Sequence, residues 1–502
     1  MLASASGVLL ALSFPKFGHP ALGWIALAPL LLALAGTTMR RAFTLGLVTG
    51  IVYFTGTLYW ITRVMAMYGD MAFWVAVLIN AGLVLYQAAY VAIFALIVRR
   101  IVITHGPHAT MVAPLVWVAT ELGRTHILSG FPWVLLGYSQ ASVLPIAQFA
   151  SLFGVYGVSM LVASVSAALA THVASHHLHL GHGRQLAPLA IVFAIVVAVA
   201  AWGSRRVAIA EWTHTGESIR VGLIQGNIDQ NDKIDPARTS AIFQDYLRMT
   251  RQAIREGAEF VIWPESSTPF QFEDDLLAAA QIRTLAQQAR VPILFGSDQF
   301  VRGASGAPTA FYNAAFLVRP DGTTGGVYRK MHLVPFGEYV PAKHLLFFAA
   351  PLVQAVSDFS AGEEASLLPV GNHLVSTAIC YEIVYPGLVR RFVTGGSELL
   401  TTITNDAWFG PTSAPYQHFE QASMRAIEEG RYLVRSANTG ISGIVDPYGR
   451  VIERTAIFER AAVVGEARFL KTSTVYARSG DLLAYASVLA TAALLVLARR
   501  RA

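Results

Sequence analysis

The stretch Val375-Ser-Thr-Ala-Ile-Cys380-Tyr-Glu382 has the pattern of a buried strand that ends at the only cysteine of the chain. A short, mostly apolar run of this kind is typical of a strand covered on both faces. A side chain directly after such a strand is held by rigid backbone and still reaches the edge of the sheet. Cys380 is therefore a candidate nucleophile, although a free cysteine is as often a small buried hydrophobic residue.

Two further stretches end a strand on a charged side chain. Phe260-Val-Ile-Trp-Pro-Glu265 leads to a carboxylate, and Val327-Tyr-Arg-Lys330 leads to an ammonium group. A carboxylate can take the proton of a thiol and deliver it to a leaving group, and a lysine can stabilise an oxyanion. Each residue alone is more typical of a solvated turn or a surface strand end. Only the three together indicate nucleophilic catalysis.

The three stretches lie within residues 205–480, which read as one α/β domain. Strand and helix patterns alternate there, and Asp321-Gly322 marks a hairpin turn. This alternation predicts mixed sheets covered by helices. The candidate strands are 219–223, 259–263, 292–296, 311–318, 374–379, 399–404 and 432–436, and candidate helices include 236–256 and 274–289.

Apolar runs flank this domain and dominate the composition. Of the 502 residues, 54% are hydrophobic and only 14% are charged, which excludes both a purely soluble globular protein and a disordered one. A helix needs about 20 apolar residues to span a bilayer. Several runs reach that length, and the first, second and fifth are short. The runs are 2–14, 22–36, 43–62, 72–98, 109–122, 145–172, 187–204 and 482–498.

The basic residues between these runs predict the orientation of the chain, because cytoplasmic loops are rich in lysine and arginine. With eight spans, four basic loops fall on one side, and the segment 205–480 falls on the other. The supporting residues are Arg40, Arg41, Arg99, Arg100, Arg184, Arg499, Arg500 and Arg501, and the opposing ones are Lys16, Arg63, Arg205 and Arg206.

This pattern predicts three parts. Residues 1–204 form a transmembrane domain of about seven spans, residues 205–480 form an extracytoplasmic domain, and residues 481–502 form a last span with a basic tail. Residues 1–200 carry eight basic and two acidic side chains, so the net charge of +6 lies between the spans. It forms no basic face for nucleic acid.

Glu121 and Arg124 stand out within the fifth apolar run. Three residues apart on a helix, they share one face. Ionisable residues inside a membrane are candidates for function, but we interpret this pair as a structural ion pair. A transporter or receptor with a ligand-binding domain would carry polar residues throughout its spans, a pattern that this chain lacks.

The order Glu265, Lys330, Cys380 resembles the Glu-Lys-Cys triad of the nitrilase superfamily. The match is closer to its membrane-bound branch, the apolipoprotein N-acyltransferases. One departure is Ile234, which stands where that family often carries a tryptophan, so a substrate contact by that ring is in doubt. The other matching segments are Gly130-Phe-Pro-Trp-Val-Leu-Leu-Gly-Tyr-Ser-Gln140, Gln225-Gly-Asn-Ile228, 332–341, Thr404-Asn-Asp-Ala-Trp-Phe-Gly410, Arg425-Ala-Ile-Glu428 and Asn438-Thr-Gly440.

The resemblance implies a multi-span helical membrane domain joined to a nitrilase-like αββα sandwich. It implies acyl transfer from a membrane phospholipid to the N-terminal amine of a diacylglyceryl-cysteine lipoprotein, through a thioester on Cys380. Glu265 would be the base, and Lys330 would bind the oxyanion. Glu338 and Glu382 would position the lysine and shape the site, and Tyr381 would offer its backbone N–H to the oxyanion. No metal or other cofactor is implied. The enzyme would lie in a bacterial inner membrane, with its catalytic domain on the periplasmic side.

Two further expectations remain open. A membrane-tethered hydrolase of the same superfamily, cleaving an amide or nitrile, would use the same three residues with water as the second nucleophile. The apolar stretch 344–353 suits a lid that dips into lipid, and its alternative is packing on the core of the domain.

Overall fold

The computed structural model describes residues 1–68, 71–177, 182–303, 306–339 and 359–500. The candidate lid, 344–353, lies outside these residues. Helices make up the described chain as far as Ile209, and two sheets with their helices follow before a last apolar helix. This arrangement confirms the prediction of a helical membrane part joined to an α/β part.

Apolar helices form the membrane part. Five of the described helices are long and apolar enough to cross a membrane, namely α4, α6, α9, α10 and α17. The three runs that are short in the sequence form the shorter helices α1, α2–α3 and α7, and the count of about seven spans stays a prediction. The helices are α1 (Leu2–Ala11), α2 (Gly23–Ala26), α3 (Ala28–Ala33), α4 (Met39–Leu58), α5 (Trp60–Tyr68), α6 (Phe73–His105), α7 (Ala113–His126), α8 (Leu144–Ala147), α9 (Ala150–His177), α10 (His182–Ile209) and α17 (Leu482–Arg500).

Two six-stranded mixed sheets form the α/β part. The first has the order β12-β1-β2-β3-β4-β5, and the second has the order β11-β10-β9-β8-β7-β6. Each has three adjacent parallel strands at its centre and antiparallel strands outside them. The strands are β1 (Ser218–Gln225), β2 (Phe260–Ile262), β3 (Ile293–Arg302), β4 (Pro308–Val318), β5 (Thr324–Arg329), β6 (Leu368–Val370), β7 (His373–Ile379), β8 (Leu399–Thr404), β9 (Leu433–Ala437), β10 (Gly443–Val445), β11 (Val451–Arg454) and β12 (Ala461–Arg468).

The remaining helices cover the sheets or connect the strands. The α-helices are α11 (Gln230–Ile234), α12 (Thr239–Arg255), α13 (Leu276–Ala289), α14 (Pro386–Thr394), α15 (Ala414–Glu429) and α16 (Val475–Ser479). Short 3-10 helices lie at Pro20–Leu22, Pro107–Val112, Ile127–Ser129, Leu136–Gln140, Glu211–His214, Cys380–Val384 and Asp406–Phe409. All seven candidate strands and both candidate helices of the sequence are present within a few residues.

Alternation along the buried strands builds two cores. In β2 and the residue after it, Phe260 and Ile262 pack between the two sheets, whereas Val261 and Trp263 pack under the outer helices α12 and α13. Successive side chains of a strand point to opposite faces, so a strand without polar residues is buried on both. The core between the sheets continues into the membrane helices.

Helix α15 and the segment 130–140 join the two parts of the molecule. Every residue of α15 except Tyr416 and Glu420 is buried, and the helix packs on α9 and on the second sheet. Trp133 Nε1 donates to Gln417 Oε1 of α15 at 2.7 Å. Tyr385 OH donates to the Gly130 carbonyl at 3.0 Å. The α/β part is thus fixed to the helices by buried polar contacts.

Glu121 and Arg124 hold this connecting segment in place. The predicted ion pair is present, with 4.0 Å between Arg124 Nη2 and Glu121 Oε1. Shorter bonds go to backbone. Arg124 donates to the carbonyls of Trp133 at 2.8 Å and Val134 at 2.9 Å, and Glu121 Oε1 accepts from Leu136 N–H at 2.7 Å. Both side chains are buried, and their bonds to the backbone of the connecting segment support the interpretation of this pair as structural.

Candidate active site

Cys380 lies on a sharp turn at the end of β7. It is the first residue of a 3-10 helix, and its φ is +54°. A non-glycine residue in left-handed backbone costs about 1–3 kcal/mol and persists only where its surroundings enforce it. The turn lifts the side chain off the sheet, and Cys380 is half-buried, unlike the fully buried Ile379 before it.

The carboxylate of Glu382 holds this turn against the loop that follows Lys330. Glu382 Oε2 accepts from Ile379 N–H at 2.8 Å, while Oε1 accepts from Met331 N–H at 2.7 Å and His332 N–H at 3.0 Å. Tyr328 OH donates to the same Oε1 at 2.8 Å. Burial raises the pKa of Glu382 to about 7, although these hydrogen bonds act in the opposite direction and lower it. Glu382 thus fixes the Cys380 turn relative to Lys330.

Lys330 lies between two carboxylates. Its Nζ is 3.4 Å from Glu265 Oε1 and 2.7 Å from Glu338 Oε1, and its side chain is 1% exposed. Asn313 Nδ2 donates to both carboxylates, at 2.7 Å to Glu265 and 3.0 Å to Glu338. Glu265 Oε2 also accepts from Asn405 N–H at 2.8 Å. A buried ammonium and two buried carboxylates are tolerated because each is paired.

The charges of this cluster act on one another and on the thiol. Burial favours the neutral amine, but the carboxylates of Glu338 and Glu265 outweigh it and raise the pKa of Lys330 above its ordinary value. Lys330 is therefore an ammonium ion. Burial and the Glu265 carboxylate raise the pKa of the Cys380 thiol, and Lys330 only partly opposes them. The resting thiol is protonated, so an attack by sulfur needs a base.

Tyr381 packs against aromatic rings of the membrane part. Its ring centroid is 6.0 Å from that of Phe131 and 6.5 Å from that of Trp133. The hydroxyl oxygens of Tyr381 and Tyr385 lie 2.9 Å apart, and because Tyr385 donates to Gly130 it accepts here from Tyr381. The residue after the candidate nucleophile is therefore held by the segment that joins the helices to the sheets.

A cavity of about 710 Å³ lies between α4, α5 and α6. Its lining is mostly apolar and includes Arg63 as a charged residue. Tyr59, which also lines it, has its hydroxyl 3.1 Å from Ser413 Oγ. The cavity therefore adjoins the segment between Asn405 and α15, on the membrane side of the site.

The structure thus brings Glu265, Lys330 and Glu338 into contact, places Cys380 within reach of their charges, and links Glu382 and Tyr381 to the same turn. Asn405 and Asp406, from the matching segment 404–410, complete the surroundings together with three residues that the sequence did not single out, namely Asn313, His418 and Arg435. Asp298, whose pKa is raised to about 6 by burial and by Glu265, and Lys233, whose pKa is lowered to about 8 by burial, also lie near Glu265. Within the described ranges, no group of three or more His, Cys, Asp or Glu residues is placed to hold a metal ion.

Comparisons with known proteins match both parts of the chain. The model of the apolipoprotein N-acyltransferase N-terminal domain matches residues 6–168, and the carbon-nitrogen hydrolase model matches residues 220–468. An apolipoprotein N-acyltransferase of Geobacter metallireducens is 40% identical over 502 residues, covering 100% of this chain and 95% of that protein. One from Methylococcus capsulatus is 34% identical over 494 residues, covering 96% of this chain and 92% of that protein. Among solved structures, a mutant of the Nesterenkonia AN1 amidase from the nitrilase superfamily is 19% identical, with a TM-score of 0.39, covering 51% of this chain and 92% of that one.

Proposed function

Because the chain belongs to the apolipoprotein N-acyltransferase family, and is thus a membrane acyltransferase of lipoprotein biosynthesis with a nitrilase fold, we propose the following reaction. It moves a fatty acyl chain from a membrane phospholipid to the N-terminal amine of a diacylglyceryl-cysteine lipoprotein, through a thioester on Cys380. The observation that carries the proposal is the position of Lys330. It pairs with Glu265 and Glu338, and the bonds of Glu382 tie the loop after it to the turn that carries Cys380.

In the first half-reaction, Cys380 Sγ attacks the ester carbonyl of the phospholipid while Glu265 takes the thiol proton. The tetrahedral intermediate then collapses. Its bond to the glycerol oxygen breaks, and Glu265 returns the proton to that oxygen, so a lysophospholipid leaves. Lys330 uses two of its three N–H groups on carboxylates and has a third for the developing oxyanion.

In the second half-reaction, the lipoprotein amine attacks the thioester carbonyl and loses a proton to Glu265. The C–S bond breaks, an amide remains on the lipoprotein, and the sulfur recovers the proton. Glu338 acts through Lys330. Its Oε2 is fixed by Val334 N–H at 2.8 Å, so the loop after β5 holds the lysine in place.

The cavity between α4, α5 and α6 supports a lipid substrate. Its apolar lining suits an acyl chain, and Arg63 offers a cation for a phosphate group. A soluble amide substrate would need neither these helices nor this cavity, so acyl transfer between lipids is favoured over hydrolysis of a soluble amide.

The positions of arginine residues near the helix ends support an extracytoplasmic location of the α/β part. Arg99 Nε donates to the Thr37 carbonyl at 2.7 Å, and Arg100 Nη2 donates to the Ala498 carbonyl at 3.2 Å. These arginines, together with Arg40 and Arg41 at the start of α4, gather at the helix ends away from the sheets. Arginine-rich ends face the cytoplasm. We therefore place the catalytic part on the periplasmic side of a bacterial inner membrane.

The proposal predicts transfer by the purified full chain. Vesicles containing a phospholipid with a labelled acyl chain are mixed with the enzyme and a synthetic diacylated lipopeptide. The label is expected in an amide on the lipopeptide, and an N-acetylated copy of the same lipopeptide is expected to receive none. Release of labelled free fatty acid without peptide product would support the hydrolase alternative and overturn the proposal.

A further inference from the structure

A buried polar chain reaches Cys380 on the side of its backbone carbonyl. His418, on α15, has its Nε2 3.2 Å from the Cys380 carbonyl oxygen. Its Nδ1 is 3.0 Å from Arg435 Nη2 and 3.2 Å from Asp406 Oδ1. Arg435 Nη2 also donates to Asp406 Oδ2 at 2.9 Å, and all three side chains are fully buried.

This chain fixes the protonation of the imidazole. The Cys380 carbonyl can only accept, so its 3.2 Å contact requires the proton on His418 Nε2. Nδ1 of the neutral ring then accepts from Arg435 Nη2, and Asp406 Oδ1 accepts from Thr404 Oγ1 at 2.8 Å. Burial and the Arg435 charge lower the pKa of His418, which keeps the ring neutral. The Arg435 charge lowers the pKa of Asp406 against the effect of burial, so the Arg435–Asp406 pair stays charged. A neutral His418 therefore donates from Nε2 to the Cys380 carbonyl.

The bond from His418 to the Cys380 carbonyl fixes the orientation of the peptide group between Cys380 and Tyr381. The carbonyl of Cys380 and the N–H of Tyr381 belong to one planar, trans peptide group, so they point in opposite directions. A donor fixed on the carbonyl therefore sets the direction of the Tyr381 N–H. The turn needs such a constraint, since Cys380 has left-handed backbone at φ +54°.

We propose that His418 is a positioning residue, which aims the Tyr381 N–H at the oxyanion by holding the Cys380 carbonyl. The inference deepens the proposed function and rests on it for the identity of the oxyanion. Trp133 lies against the imidazole with 5.5 Å between ring centroids, so the membrane segment 130–140 supports the same contact. Neither Asp406 nor Arg435 touches the substrate in this account.

The test separates acylation of Cys380 from alkylation of Cys380. Acylation by a p-nitrophenyl ester passes through an oxyanion, whereas alkylation by iodoacetamide does not. The chain has one cysteine, so thiol adducts form at Cys380 alone, and peptide mass mapping separates them from adducts on other side chains. Three full-length variants are compared with the wild type. His418→Asn places its amide near the former Nδ1 and cannot reach the carbonyl. His418→Gln places an amide near the former Nε2. His373→Asn is the control. It changes a histidine at the start of β7, the strand that ends just before Cys380, where His373 pairs with Glu398.

His418→Asn is expected to slow acylation about 10- to 100-fold and to change alkylation by less than about threefold. The kcat of acyl transfer should fall with acylation while KM stays nearly constant. His418→Gln should recover most of the acylation rate, and His373→Asn should match the wild type in both reactions.

Equal losses of acylation and alkylation, or unchanged acylation in His418→Asn, would overturn the proposal. If the asparagine variant does not fold, the same two rates in His418→Phe decide, because that ring can still pack on Trp133 but has no donor. Failure of the proposed function is a separate result. In that case the ester would still acylate the wild-type thiol, but no phospholipid acyl chain would reach a lipopeptide.

Discussion

Replacing Cys380 with alanine is expected to lower acyl transfer by about 10⁴-fold or more. The chain has no second cysteine, so no other thiol can carry the acyl chain. The substitution removes one sulfur atom from a half-buried position and leaves the contacts of Glu382 intact, so the protein should still fold and insert. Transfer of a labelled acyl chain to a diacylated lipopeptide measures the effect, and a thermal unfolding curve reports the fold.

Two further variants accompany that experiment, a conservative change of the nucleophile and a control on the same strand. Cys380→Ser should be nearly as inactive as the alanine variant, because a hydroxyl is a far weaker acid than a thiol and yields little nucleophile. Ser376→Ala removes a buried hydroxyl from the same strand, where it accepts from Ser397 Oγ at 2.8 Å, and should retain transfer. Transfer that persists in Cys380→Ala would reject sulfur as the carrier.

Glu265→Gln is expected to reduce transfer by about 10² to 10⁴-fold, the range found for loss of a general acid–base group. The amide keeps the shape of the carboxylate and can still accept from Asn405 N–H, but it cannot take the thiol proton. Burial keeps the pKa of the thiol raised in the variant, so its residual transfer depends on loss of that proton to water. Residual transfer should therefore increase as the pH rises above about 7.

Glu273→Gln is the matched control, because Glu273 is exposed and lies in the same loop as Glu265, the one that follows β2. It should have the transfer rate and pH profile of the wild type. A Glu265→Gln enzyme with wild-type kcat would show that another group moves the proton, and Asp298 would then be the next candidate to test.

Much of the α/β part could be predicted because its strands are short apolar runs that end in polar residues. The hairpin at Asp321-Gly322 is present, with Gly322 at φ +79° between the antiparallel strands β4 and β5. The strands β6, β10, β11 and β12 were not predicted. They are short or half-exposed strands at or near the sheet edges, where alternation is weak and pairing with a distant strand decides the structure.

The site could be predicted only in part, since its geometry depends on pairing that sequence spacing does not contain. Glu265, Lys330 and Cys380 were predicted as site residues because each lies at or just after the end of a strand, and their catalytic roles stay a prediction. Asn313 was missed because it lies inside β4, where it looks like one polar residue in a strand and only the fold places it between two carboxylates. His418 was missed because it lies on a helix whose polar residues would normally indicate a solvated face, yet that helix is buried between a sheet and the membrane part.

The most direct test is the mass of the enzyme after incubation with phospholipid in the absence of an acceptor. We expect a mass increase of one acyl chain, mapped to the peptide that contains Cys380, released by hydroxylamine and lost when a diacylated lipopeptide is added. An unmodified Cys380 in an enzyme that still transfers acyl chains, or an acyl group on another residue, would contradict it.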